Sequence, residues 1–282
     1  LSSNQALTYG TGAMGTGQTT INGTLTNVTL GSGAPPQNSA GTYYFTGRSD
    51  NFNPAPGSLN SQNGRLDPEG IRVSNDGRSV FISDEYGPYV YQFDSATGVR
   101  TNTFSLPSYY GASSLSSQGA LEISGNTTGR VANKGMEGLA ITPDGKTLVG
   151  IMQAPLEQDT KKNVRIVTID IASGATHEYA YKLTTGSGVS EIVAINDHEF
   201  LVDERDGNGL GGGGNAVAKQ LYRINLTGAA DVSALSGDLS AKAVAKTLVL
   251  DMVAVLGAHG ISADQEPSKI EGVPFGQDVV ID

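Results

Sequence analysis

The 282-residue chain contains no cysteine. Disulfides therefore cannot contribute to its stability, and redox chemistry by thiols is excluded. Charged residues are sparse at 16%, and the 18 Lys and Arg are outnumbered by 28 Asp and Glu, for a formal net charge of -10. That balance argues against nucleic acid or an anionic membrane as the main partner. It suits cation binding, or simply a solvated acidic surface. No apolar run reaches the roughly 18 residues that a membrane-spanning helix needs, so no membrane insertion is expected. The chain begins at Leu1 rather than Met and shows no signal peptide, which reads as a mature or trimmed protein.

Glycine, by contrast, is abundant, with 38 residues, and Ser, Thr and Asn are plentiful. Many short strands joined by tight turns fit this profile better than a helical bundle. A cysteine-free, acidic, Ser/Thr/Asn-rich chain is also compatible with a bacterial exported protein, secreted or periplasmic.

The chain is organised around a returning unit. Asp67-Pro68-Glu69-Gly70-Ile71 reappears as Gly135-Met136-Glu137-Gly138-Leu139, loosely as Val189-Ser190-Glu191-Ile192, and again as Lys269-Ile270-Glu271-Gly272-Val273. Glu69 leads to a turn at Asn75-Asp76-Gly77 and a strand-like run ending at Asp84-Glu85. Glu137 leads at the same offsets to Pro143-Asp144-Gly145 and a run ending at Gln153, and Glu191 leads to a shortened copy ending at Asp203-Glu204. Each unit reads as strand, tight turn, strand, variable loop, strand, tight turn, strand. Four short antiparallel strands per repeat predict an all-β protein, a β-propeller of four-stranded blades forming one domain over 1–282. Six blades are expected, with seven or an incomplete five as alternatives. The chain reaches Asp282 where the last unit is due its first turn, so either the unit continues or N-terminal strands close the ring. One segment departs from the pattern. Val244, Leu248, Met252 and Val255 fall at helical spacing, predicting a short inserted helix near 240–257 with Ser240 as N-cap and Gly257 as C′ residue.

Blade topology converts the repeat into a candidate site. Glu69 and Glu85 are expected on one face near the axis, as are Glu137 with Gln153 and Glu191 with Glu204, and Glu271 occupies the matching position in the last unit. Carboxylates so gathered raise one another's pKa unless a cation neutralises them. Calcium, a hard cation taking about 6–8 oxygen ligands, suits such a ring. Basic residues stand close by: Arg65 before Glu69, Lys134 before Glu137, Lys269 before Glu271, and Arg205 after Glu204. A metal flanked by Lys and Arg is what a phosphoryl group needs. The metal candidates are thus Glu69, Glu85, Glu137, Gln153, Glu191, Glu204 and Glu271. Glu137, Glu204, Arg205 and Lys134 are the catalytic candidates, and Arg48, Arg65 and Lys269 the substrate-binding ones. The competing reading makes each Glu a turn cap paired with a neighbouring Lys or Arg.

The units DPEGIRVSNDGRSVFISDEYGPYVYQFD, NKGMEGLAITPDGKTLVGIMQAPL, SEIVAINDHEFLVDERDG and KIEGV resemble the phytase-like ("esterase-like activity of phytase") family of exported bacterial proteins, over roughly residues 40–282. The resemblance implies a β-propeller and, by the family's name, a phosphoester hydrolase. It carries over Glu69, Glu85, Glu137, Gln153, Glu191, Glu204, Arg205 and Glu271 as motif positions. The chain departs from the family in two places. No Gly-Gly-rich motif is evident upstream of Tyr43, and the last blade's Asp-Asn-Asp-like segment is absent.

Other patterns carry less. The run Gly207 to Asn215 lacks the Gly-Lys-Ser/Thr ending of a phosphate loop. His177, His198 and His259 have no zinc spacing, and no G-x-S-x-G elbow appears. Three functions from different classes follow: a calcium-dependent hydrolase of small phosphomonoesters such as phytate, a calcium-dependent lactonase or carboxylic esterase, and a non-catalytic binding or surface-assembly propeller stabilised by its metal.

Overall fold

Three copies of the sequence unit become three four-stranded antiparallel sheets. The computed structural model describes residues 57–276 apart from 62–64, 117–118 and 161, together with the backbone of four short strands before them. These four are β1 (Thr8–Gly10), β2 (Thr16–Ile21), β3 (Thr24–Thr29) and β4 (Tyr43–Tyr44). β1 pairs with β4, and β2 with β3.

The first blade is β5 (Pro68–Val73), β6 (Ser79–Asp84), β7 (Tyr89–Asp94) and β8 (Arg100–Ser105). A short helix, α1 (Gly119–Ser124), lies in the long connection to the second blade. That blade is β9 (Met136–Ile141), β10 (Thr147–Met152), β11 (Asn163–Asp170) and β12 (Thr176–Lys182). The third is β13 (Gly188–Ala194), β14 (Glu199–Arg205), β15 (Lys219–Asn225) and β16 (Lys246–Asp251), followed by α2 (Met252–Ala258). Each blade is a meander in chain order, and the inner strand β9 packs against both β5 and β13. All-β, four-stranded blades side by side along their inner strands make the fold a β-propeller.

β10 (Thr-Leu-Val-Gly-Ile-Met) is buried from its second residue on, so it reads as a continuous apolar run rather than an alternating one. Phe81, Val90, Leu148, Ile151, Ile166, Ile169, Val189 and Ile192 belong to one buried cluster spanning all three blades.

The glycine of the Glu-Gly unit has a packing reason. A Cβ on Gly70 would lie 2.4 Å from Leu139 Cβ, and one on Gly138 would lie 2.7 Å from the Ile192 amide nitrogen. Each glycine is thus where the next blade's inner strand comes closest. The turns on the opposite face are tied in the same order. Asn75 Nδ2 donates to the Pro143 carbonyl at 2.8 Å, and the Asp144 amide donates to Asp197 Oδ1 at 3.0 Å.

The helix expected over 240–257 is corrected. Lys246–Asp251 is the fourth strand of the third blade, and only Met252–Ala258 is α-helical. The helix is capped by Asp251, whose side chain accepts from the Ala254 amide, not by Ser240, and Gly257 lies inside it rather than after it. The open edge of β15 offers a row of backbone groups, and pairing them outweighs a spacing that local sequence alone reads as helical.

Candidate functional site

Each inner strand carries one extra residue next to its repeat acid. Pro68 pairs with Asp84 and the next pair is Ile71 with Ile82. Met136 pairs with Met152 and then Gly138 with Ile151, while Val189 pairs with Glu204 and then Glu191 with Asp203. A β-bulge at this point re-aims side chains that regular pleating would send into a blade face.

In the first blade the outcome is a trio of acids. One carboxylate oxygen from each of Asp67, Glu69 and Glu85 lies within 4.8 Å of the others. Glu85 is buried and accepts from the Gly135 amide at 3.2 Å. Burial, then the charges of Glu137, Glu69 and Asp67, push its carboxyl up to about 9. Glu69 is pushed up to about 7 by burial and by Glu137, Asp67 and Glu271, with Lys269 opposing. The charge of Glu137 therefore acts on both Glu69 and Glu85.

Glu137 itself is buried, with Oε1 accepting from Gln153 Nε2 at 3.0 Å and from Arg205 Nη2 at 3.5 Å. Its carboxyl is pushed up to about 7, burial outweighing the Arg205 guanidinium. Arg205 is held in place by Nε donating to Ser190 Oγ at 2.6 Å, and its Nη2 stands 4.0 Å from Glu271. Lys269 Nζ is 3.7 Å from the same Glu271 carboxylate. Lys134, Gln153, Arg205 and Lys269 line one cleft of about 190 Å³, with Asn133, Ala154, Ser187 and Gly188 completing its wall.

The structure thus gathers Glu69, Glu85, Glu137, Gln153, Glu271, Lys134, Arg205 and Lys269 into one neighbourhood. It leaves three expected members elsewhere. Glu204 is fully buried, accepting from Tyr181 Oη at 2.9 Å, the Thr184 amide at 2.7 Å, the Gly186 amide at 2.9 Å and Lys246 Nζ at 2.5 Å. Glu191 is engaged by Arg72 Nη2 at 3.0 Å. Arg65 is buried, pairs with Glu122 at 3.3 Å and lies 3.6 Å over the Tyr86 ring. All three follow the ion-pair reading rather than the ring reading. Arg48 lies outside the described residues.

Two residues of this region were missed by the sequence reading. Asp67 completes the acidic trio, and its signal was present: in a strand, residues i and i+2 share a face, and Asp67 stands two before Glu69. Arg72 had no such signal, since its partner lies in the third blade. The run Gly207 to Asn215 proves to be a loop tied by the Leu210 amide to the Glu266 carbonyl, with no helix after it.

The donor set of Asp67, Glu69 and Glu85 is all oxygen and, when ionised, triply negative. That is the chemistry a calcium ion takes, and a cation there would offset the mutual repulsion that, after burial, raises the carboxyls of Glu69 and Glu85. The residues present fit the ion.

These features define a β-propeller whose inner rim joins an acidic cluster to a basic cleft. The chain belongs to the Phytase-like family, described as "Esterase-like activity of phytase", whose model matches residues 14–281. A protein of Arthroderma benhamiae described as "Uncharacterized secreted protein" is 35% identical over 179 residues, 51% of this chain and 35% of that relative. The chain accordingly spans about a third of that relative's length. Among solved structures, the Cps50 (Swd1) β-propeller domain of Myceliophteria thermophila aligns with TM-score 0.37 and 10% identity, over 67% of this chain and 41% of that one. The WD40 repeats of RRP9 align with TM-score 0.35 and 15% identity, over 61% and 39%. Nothing about chemistry follows from likenesses of this size.

Proposed function

We propose that this chain is a calcium-dependent hydrolase of phosphomonoesters that works outside the cell. The observation that carries the reading is the cleft in which Lys134, Arg205 and Lys269 converge beside the buried Glu137. Three cations at one cleft suit a phosphate monoester, with Arg205 and Lys269 shared between the phosphate and the carboxylates of Glu137 and Glu271. In this reading Glu137, its carboxyl raised to about 7 mainly by burial, would hold or release the proton, with Gln153 and Arg205 hydrogen-bonded to it. Asp67, Glu69 and Glu85 would hold the metal, which when bound polarises a phosphoryl oxygen and neutralises the trio. Family membership supports ester hydrolysis, and the secreted relative supports the location. No helix among the described residues is long and apolar enough to cross a membrane.

The test is phosphate release from p-nitrophenyl phosphate by protein stripped with EDTA, with calcium titrated back. Calcium-restored turnover, lost in both Glu137→Gln and Arg205→Ala variants that keep their melting temperature with calcium, is the expected result. A calcium-dependent rise in melting temperature without turnover would instead mark the metal as structural and the propeller as a binding module.

A further inference from the structure

The cation-lined cleft does not end at Lys134. A second hollow of about 330 Å³ shares Lys134, Ala154 and Ser187 with it and continues along Val131, Pro155, Leu156, Glu157 and Asp159. The two spaces share three lining residues and are therefore adjacent. Their walls differ in kind. The first holds three cations, while the second has an apolar side at Val131, Pro155 and Leu156 and carries two acids, with Lys134 its one cation. Asp159 is already neutralised by Arg165, which it meets at 2.7 Å. Glu157 is half-buried, and no ion pair among the described residues involves it. Its main chain is anchored by the Glu157 amide donating to the Gly129 carbonyl at 2.9 Å, so the position is held whatever the side chain.

Resting on the phosphoesterase reading above, we propose that this second hollow receives the alcohol portion of the ester and selects a compound with one phosphate on an apolar body. A phosphate held by Lys134, Arg205 and Lys269 directs the rest of the ligand past Lys134 onto Val131, Pro155 and Leu156. Burying an apolar group against Val131, Pro155 and Leu156 is favourable, and such a body has no hydrogen-bonding group to leave unsatisfied. A ligand bearing several phosphates meets the opposite situation. Its second phosphate would enter the hollow beside Glu157, where like charges repel and the one lining cation, Lys134, is already engaged by the first phosphate. Glu157 is therefore the specificity-determining residue, acting against polyphosphorylated alcohols. The hydrolysis itself breaks the P–O bond to the alcohol, with water as co-reactant supplying hydroxyl to phosphorus and a proton to the leaving oxygen.

The experiment compares 1-naphthyl phosphate with inositol hexakisphosphate, in turnover and in calorimetric binding, on the calcium-loaded protein and its Glu157→Gln and Glu157→Lys variants. The proposal expects kcat/KM to favour the naphthyl ester at least about tenfold in the wild-type protein. The ratio should shrink in Glu157→Gln and shrink further or invert in Glu157→Lys, with melting temperatures unchanged. A preference for the hexakisphosphate, or a ratio indifferent to both substitutions, overturns it. Binding separates this result from the parent reading. Selective, Glu157-dependent binding of the naphthyl ester without turnover would uphold the hollow as a specificity site and sink the hydrolase. Turnover of both compounds with no Glu157 dependence would do the reverse. Binding of neither compound would overturn the proposal too.

Discussion

Arg72, on the inner strand of the first blade, reaches the carboxylate of Glu191 on the inner strand of the third at 3.0 Å. The same guanidinium donates to the Ile192 carbonyl at 3.2 Å. The inner strand of the second blade packs against both, so this bridge fastens the two blades that flank it. It also explains why Glu191 does not join the acids at the rim, for its charge is already met. Burial raises the Glu191 carboxyl, and Arg72 opposes that rise.

Arg72→Leu should leave Glu191 largely buried without its counter-ion. Breaking a buried pair costs about 3–5 kcal/mol, and the partial exposure of Arg72 (23%) should bring this to the lower end or below. Urea denaturation should show the loss, and Glu191→Gln in the same background should recover part of it. An additive double mutant would mean that the pair contributes nothing.

Gly138→Ala tests the reason for the Glu-Gly unit. Its new Cβ would meet the Ile192 backbone at 2.7 Å, where no flexible side chain can give way. Overpacking of this kind costs about 1–3 kcal/mol or more, read as a drop in melting temperature. Gly272→Ala is the control, since nothing lies within 4 Å of that position. Equal behaviour of the two variants would remove the packing argument.

The acidic trio makes a pH prediction whose sign is set by the direction of the shifts. Glu69 and Glu85 have folded pKa values of about 7 and about 9, above the ordinary 4.5. From pH 4.5 up to those values the folded chain binds more protons at these groups than the unfolded one, so their contribution to stability is fully present below pH 4.5 and is lost as pH rises towards 9. Metal-free protein should therefore lose melting temperature across that window. Asp84 and Asp203, each raised to about 7 mainly by burial, act in the same direction. Calcium should remove the part due to the trio and should release protons on binding at pH 7, measurable by calorimetry in buffers of different ionisation enthalpy. Calcium binding without proton release would place the ion elsewhere.

Lys246→Met should be costly although it touches no part of the cleft. Lys246 Nζ is paired with the fully buried Glu204 at 2.5 Å and sits 4.2 Å from the Tyr181 ring centroid and 4.1 Å from that of Tyr222. Stranding Glu204 should cost about 3–5 kcal/mol, with amide and hydroxyl donors softening the loss. Chemical denaturation of Lys246→Met and of Lys246→Met with Glu204→Gln checks this. The double variant should be the more stable of the two.

Much of this was legible in one dimension because a propeller repeats its local chemistry. Asp-Gly turns, Glu-Gly starts and apolar second strands recur at matching offsets, and each is dictated within a few residues: Gly77 and Gly145 take positive φ of 72° and 73° at equivalent turns. The pairing of Glu137 with Gln153 followed directly, since two adjacent antiparallel strands bring the ends of one hairpin together. So did the nearness of Glu69 to Glu85.

Which acids share a site is another matter. Glu191 and Glu204 hold the same places in the repeat as Glu137 and Gln153, yet one is taken by Arg72 from the first blade and the other by Lys246 from the outermost strand. The strand carrying Lys246 was itself misread as helix, because the β15 edge that recruits it is invisible to local spacing. Sequence periodicity determined the blade, its turns and the residues eligible for the rim. Tertiary packing decided which of them keep a free charge, because a buried carboxylate is claimed by whichever cation the neighbouring blade brings within reach.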